Sequence, residues 1–333
     1  MTATIAVRRH RHTQEIAITM RCIFCKKDSR NSKSVEHIMP ESIGSLRRVL
    51  PPGVVCDWCN NYFARKVEQP VLNHNWMRNL RAWYQVPSKK GNYPSLVGRI
   101  AGTDVLVNMR KNSDGELCLA TEKGNEIGAL EQAIARNFES PLIFTIEDQV
   151  PKREVSRFLA KMALEANAEL LLKSPDVLNM LIDEPFYDRI RNFARYGTGQ
   201  ENWPFSQRRI FPAETMMRHP KTNEWVMAGF GCAIFMTRRN ETLFAFVFYG
   251  VEFVMNVGGP SIRGYEEWLE EHGGISPLVE RLGCRLMVRG EGRERAHYLE
   301  GQFNEKTGFD FDIKHGWNPI KENERTSPAP PAP

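Results

Sequence analysis

Cys22-Ile23-Phe24-Cys25 and Cys56-Asp57-Trp58-Cys59-Asn60 bracket thirty residues, and between them stands Val35-Glu36-His37-Ile38-Met39-Pro40. Two Cys-x2-Cys pairs at such a spacing form two knuckles whose four thiolates, Cys22, Cys25, Cys56 and Cys59, complete a closed tetrahedral Zn²⁺ site. With no open position the metal is structural. It pins a segment too short to fold on buried apolar surface alone. Within that frame Ser34 to Met39 reads as a strand stopped by Pro40. Glu41 to Pro52 reads as a loop exposing Arg47 and Arg48, and Val54-Val55 begins a second strand. From Asn60 the positions Phe63, Val67 and Val71 recur at helical spacing, with Pro70 ending or kinking the helix near its last turn. Strand, loop, strand, helix around a zinc is the result.

Charge sets this end of the chain apart. The 333 residues carry a net charge of +5, yet residues 1–90 hold sixteen Lys and Arg against six Asp and Glu, leaving 29 against 34 for the rest. A basic end beside a mildly acidic body points to a polyanionic partner at the N-terminal end. Four of the seven cysteines lie in the paired motifs. That usage argues for metal binding in a reducing compartment, hence a cytoplasmic setting, and Cys118, Cys232 and Cys284 read as buried structural thiols. No apolar run is long enough for a membrane span.

Beyond the module the spacing predicts strands at Leu96–Ile100, Asp104–Met109 and Glu116–Ala120, and a helix over Ile127–Phe138. A long helix starts near Pro151, carrying Val155, Phe158, Leu159, Met162, Leu164, Ala166 and Leu170 on a wide apolar face. A helix ending at Gly197, strands at Trp225–Met236 and Leu243–Val257, a short helix at Tyr265–Glu271 and a strand at Cys284–Val288 complete an α+β pattern. Gly229 and Gly231 suggest a bulge, and Gly250 breaks the later strand. The organisation is a flexible basic leader (1–19), a zinc-stapled ββα module (20–76), an α+β body (77–322) and a Pro/Ala tail (323–333). Translation from Met1 or from Met20 is left open. Trp76, Trp83 and Tyr84 interleave with Arg78, Arg81 and Lys89-Lys90, which suits core packing and base stacking equally.

Glu36, His37 and Asn60 are the residues with chemistry to offer. Hydrolysing a phosphodiester requires a base for water, a cation on the phosphate and stabilisation of the leaving oxygen. Neighbouring strand residues point to opposite faces, so Glu36 and His37 would approach one phosphate from different sides. The order Cys-x2-Cys, Glu-His-Ile-Met-Pro, Cys-x2-Cys-Asn-Asn resembles the HNH nucleases of ββα-metal fold, in particular their zinc-stabilised members and phage junction resolvases of the endonuclease VII type. The resemblance covers residues 20–72. It implies His37 as general base, with Glu36 and Asn60 as ligands of a catalytic Mg²⁺ or Mn²⁺. Arg65 or Lys66 would take the non-bridging phosphate oxygen, and Arg47, Arg48, Arg65 and Lys66 would contact nucleic acid. The helix histidine common in the family is missing: Phe63 and Ala64 occupy its region, and the next histidine is His74.

These features imply a metal-dependent endonuclease acting on DNA, with the body recognising, sensing or oligomerising. Family habit adds single-strand nicking and a bacterial setting in defence against phage or plasmids. The rival is a non-catalytic zinc module tethering the body to nucleic acid.

Overall fold

The computed structural model describes residues 20–45, 48–100, 104–111, 117–121, 127–136, 142–143, 150–172, 174–198, 203–219, 222–281, 284–291 and 295–301. The leader, the tail and Arg47 lie outside the described residues.

A minimal hairpin carries the Glu-His pair. Strand β1 (Glu36–His37) runs antiparallel to β2 (Val49–Leu50), with Glu36 opposite Leu50 and His37 opposite Val49. The second strand therefore falls inside the stretch expected to be a loop. Val55, expected to begin it, makes a single bridge to Pro52. Pro51 and Pro52 have no N–H to extend a ladder, which confines the pairing to the residues before them.

Helix α1 (Asp57–Phe63) begins at Cys56, whose Sγ accepts from the Cys59 N–H at 3.4 Å. It passes through one wide π turn, Ala64–Glu68, into α2 (Gln69–Asn73). Pro70 removes a donor that a regular α-helix would use, and the wide turn just before it lets the rod continue. Phe63, Val67 and Val71 are all buried, as their spacing predicts. A further helix, α3 (Asn75–Trp83), is capped by His74.

The body opens with β3 (Leu96–Ile100), β4 (Leu106–Lys111) and β5 (Leu117–Thr121), close to the predicted bounds, then α4 (Ile127–Arg136) and β6 (Leu142–Ile143). These strands form a sheet in the order β5-β4-β3-β6. Three helices follow: α5 (Lys152–Leu171), α6 (Pro175–Asp183) and α7 (Asp188–Tyr196), the last stopped by Gly197 at φ +67°. Next come β7 (Phe205–Arg209), β8 (Met216–Arg218), β9 (Trp225–Met227), β10 (Phe230–Met236), β11 (Thr242–Phe248) and β12 (Val251–Asn256). The chain continues with α8 (Arg263–Glu271), α9 (Pro277–Arg281), β13 (Arg285–Arg289) and β14 (Ala296–Glu300). Strands β10-β11-β12-β7 make an antiparallel sheet, and β13-β14-β8-β9 a mixed one whose only parallel pair, among the described residues, is β14-β8. The fold is α+β. The single strand expected over Trp225–Met236 is two, β9 and β10, which leave Gly229 in different sheets. Cys118 is exposed, not the buried thiol expected; Cys232 is buried and Cys284 half-buried.

Helix α5 is the axis. Nearly every residue from Val155 to Ala168 is buried, so it is covered all round. On one side lies the cysteine module, through Phe24, Phe63, Val67 and Val71; on the other lies the β10-β11-β12-β7 sheet, through Phe246 and Phe253, all in one apolar cluster. Trp76 packs edge-on against Phe253, and Tyr84 stacks on Tyr249 at 3.7 Å. Trp76 is core, Tyr84 is half-buried against that core, and Trp83 is exposed. Among the described residues no helix is long and apolar enough to cross a membrane.

Tyr249 and Gly250 form the two-residue turn between β11 and β12, with φ of +44° and +79°. A Cβ on Gly250 would lie 2.1 Å from the Phe211 carbonyl oxygen. Gly250→Ala is therefore expected to cost at least about 2 kcal/mol and to lower Tm by several degrees in a thermal melt, because a backbone atom cannot step aside as a side chain can.

Candidate functional site

The four cysteines converge as their spacing requires. Their Sγ atoms all lie within 4.8 Å of one another, with Cys22 and Cys59 buried and Cys25 and Cys56 half-buried. Four sulfurs about 2.3 Å from a central Zn²⁺ would stand roughly 3.8 Å apart, and Cys25 Sγ lies 3.6 Å from Cys56 Sγ. All four are free thiols, so the donor set fits a closed zinc site. The body supports the first knuckle from behind. Arg191 of α7, almost fully buried, donates from Nε to the Ile23 carbonyl at 2.7 Å and from Nη2 to the Leu181 carbonyl at 2.7 Å. Lys26 pairs with Asp188 at 2.6 Å, and Arg21 with Asp183 at 2.6 Å.

Beside this cluster the hairpin and α1 bring the other three residues to one short stretch. Asn60 Nδ2 donates to the Val35 carbonyl at 3.1 Å, which ties the start of α1 to the residue before β1 and leaves Oδ1 as an acceptor. Glu36 points inward and is only 4% exposed. Its Oε1 accepts from Lys161 Nζ at 2.7 Å, and its buried Oε2 has no hydrogen-bond partner. His37, on the other face, is half-buried, with Nδ1 buried and unpartnered. Strand alternation thus separates the two side chains as expected. Burial pulls the His37 imidazole below its ordinary pKa against the opposing pull of Glu41, so the ring is neutral near pH 7.

Sequence reasoning missed the group that meets Glu36. Lys161, in the middle of α5, is fully buried, and its ammonium lies 2.7 Å from Glu36, 2.7 Å from Glu68 and 3.0 Å from Glu165. It also donates to the His37 carbonyl at 3.1 Å. Burial alone disfavours the ammonium, but Glu165, Glu36 and Glu68 outweigh that and push its pKa well above the usual lysine range. Burial also raises the Glu36 carboxyl, against the pull of Lys161. The one available signal was local: Lys161 and Glu165 stand four apart among Phe158, Leu159, Met162 and Leu164, a charge pair where the helix is otherwise apolar.

Of the four basic residues expected at nucleic acid, Arg65 and Lys66 are exposed on the π turn after α1, and Arg65 Nε donates to the Asn61 carbonyl at 3.3 Å. Arg48 is not the exposed loop arginine that the sequence suggests. Its guanidinium is taken up by Glu169 of α5 and, at 2.9 Å, by the Cys232 carbonyl of β10. An unforeseen aromatic and basic group sits on α1 and α7. Trp58, 58% exposed, stacks on Tyr62, and the Arg195 guanidinium lies 5.5 Å from the Trp58 ring and 4.6 Å from that of Tyr196. Such a composition stacks nucleic-acid bases.

Closed four-thiolate staple, short hairpin and following helix define a small zinc-type module in which Asn60 is tied to the residue before the Glu36-His37 pair. Residues 22–75 match the family model described as HNH endonuclease, so this segment carries an HNH endonuclease sequence. No curated protein and no solved structure matches the chain.

Proposed function

We propose that the chain is a metal-dependent HNH endonuclease that hydrolyses phosphodiester bonds in DNA, with residues 77–322 targeting or regulating the cut made by residues 20–76. The observation that carries this reading is that Asn60 is tied to the carbonyl of Val35, the residue directly before Glu36 and His37, inside the segment that matches the nuclease family. The donors suit a hard cation: Glu36 keeps one carboxylate oxygen without a hydrogen bond, and Asn60 keeps its amide oxygen. Held by those two oxygens, Mg²⁺ or Mn²⁺ would neutralise charge on the phosphate and on the departing 3′ oxygen. His37 takes the proton from the attacking water, and with Nδ1 buried, Nε2 is the nitrogen that does so. Asn60 fixes the strand against the helix. Arg65 and Lys66, both exposed, supply cations for the phosphate backbone. The four thiolates hold Zn²⁺ and take no part in the chemistry. The reading carries with it a cytoplasmic, bacterial setting and action on phage or plasmid DNA, with two copies needed for a double-strand break.

One observation favours the rival, a non-catalytic zinc module that tethers the body to nucleic acid: the Glu36 carboxylate is nearly sealed and already faces an ammonium. Supercoiled plasmid separates the two. The purified chain is expected to convert it to the nicked form with Mg²⁺ or Mn²⁺ and to leave it intact with chelator. Retained DNA binding without divalent-dependent nicking would favour the tether.

A further inference from the structure

We infer that Lys161, contributed by the body, is a positioning residue of the nuclease site: its ammonium clamps Glu36 and His37 together and presents the second Glu36 oxygen to the divalent cation. This rests on the nuclease reading above. Lys161 is 125 residues from Glu36 in the chain, so nothing in the matched segment supplies the contact. One Nζ reaches two successive residues of β1, the Glu36 side chain at 2.7 Å and the His37 carbonyl at 3.1 Å. A single cation therefore fixes the carboxylate against the backbone that carries the imidazole. The bond goes to Oε1 and leaves Oε2 buried and unpartnered, an arrangement that costs free energy unless something binds there.

Glu36, Glu68 and Glu165 each place a carboxylate oxygen close to Lys161 Nζ, at 2.7, 2.7 and 3.0 Å. The ammonium is the cation at their centre. Because Nζ also lies 2.7 Å from Glu68 and 3.0 Å from Glu165, the one ammonium joins β1, the π turn after α1 and its own helix. Helix α5 holds the hairpin at a second point as well, through Glu169 and Arg48 just before β2. Lys161 and Glu169 are two turns apart, about 12 Å along the axis, so the hairpin is laid along a rigid rod of the body.

The test is a double-mutant cycle read by Mn²⁺ binding, with calorimetry and Mn²⁺ resonance on the full chain, alongside zinc content and plasmid nicking. Lys161→Met is expected to weaken Mn²⁺ binding about 10- to 100-fold, the loss typical of a residue that orients a ligand, with zinc unchanged. Lys161→Arg, which keeps the charge, is expected to recover most of it. Lys161→Met/Glu36→Gln is expected to bind no worse than Glu36→Gln alone, because the lysine acts through that carboxylate. Wild-type affinity in Lys161→Met, tighter binding as from a lost competitor, or additive losses in the cycle would each overturn the inference. If Lys161→Met loses zinc, the double variant, which leaves Glu36 uncharged, decides: binding equal to Glu36→Gln supports positioning, and weaker binding overturns it. Mn²⁺ binding by the wild type without nicking would defeat the nuclease reading and leave Lys161 only as the group that positions a metal ligand, whereas absence of Mn²⁺ binding defeats both.

Discussion

His37→Ala is expected to lower the single-turnover nicking rate about 10²- to 10⁴-fold, the usual cost of losing a general base, equivalent to roughly 3–5 kcal/mol on the barrier. The same change should leave zinc content and melting behaviour close to the parent. His37 Nδ1 has no hydrogen bond to lose, and the contacts of this residue that matter to the fold are made by its backbone: the pairing with Val49 and the carbonyl that accepts from Lys161. A half-buried ring can be truncated without opening a core cavity, unlike Ile38 and Met39 beside it, which are wholly buried. Rate and stability are thus separable at this position. Parental nicking by the variant, measured with supercoiled plasmid at saturating Mg²⁺ or Mn²⁺, would remove His37 from the chemistry.

The candidate site could be picked out in the sequence because its residues are close together in the chain. Two Cys-x2-Cys pairs fix the geometry through covalent reach, and Glu36, His37 and Asn60 sit within or directly beside that frame. What was not legible is what the rest of the chain brings to it. Lys161 reads as half of a charge pair with Glu165 on its own helix, and only tertiary packing shows that the charge also meets Glu36. Arg48 reads as a loop arginine facing solvent, yet Glu169 and the Cys232 carbonyl capture it. The same limit governs the strands. Val49–Leu50, the true partner of β1, is too short to show any alternation, while Val54-Val55 looks more strand-like and is cut off by two prolines. In the body, spacing located β3, β4 and β5 well, because each is bounded by turn residues. It merged β9 with β10, since nothing local says that the chain changes sheets at Gly229.

Cys59→Ala is expected to do the opposite of His37→Ala and abolish structure and cleavage together. Cys59 is wholly buried in the first turn of α1, and its Sγ belongs to the four-sulfur cluster. With one thiolate gone the zinc site is open and its affinity falls, and that affinity is folding free energy: about 10–16 kcal/mol for a structural zinc, against roughly 5–15 kcal/mol for the stability of a whole domain. The hairpin itself adds little, since β1 and β2 contribute two residues each. The apolar contacts of the module depend on the staple as well: Phe24 lies inside the first knuckle, Phe63 one turn past the second, and their rings meet at 4.3 Å. Because these rings belong to the same cluster as Val155 and Phe158 of α5, loosening the knuckles unseats the hairpin from Lys161 and exposes one side of the central helix. The expected readings are zinc below one atom per chain, a broadened and lowered melting transition, and rapid protease cleavage within residues 22–75. A Cys59→Ala variant that kept a full zinc equivalent and the parental Tm would show that hairpin and helix stand without the staple, and the geometry assigned to Asn60 would lose its foundation.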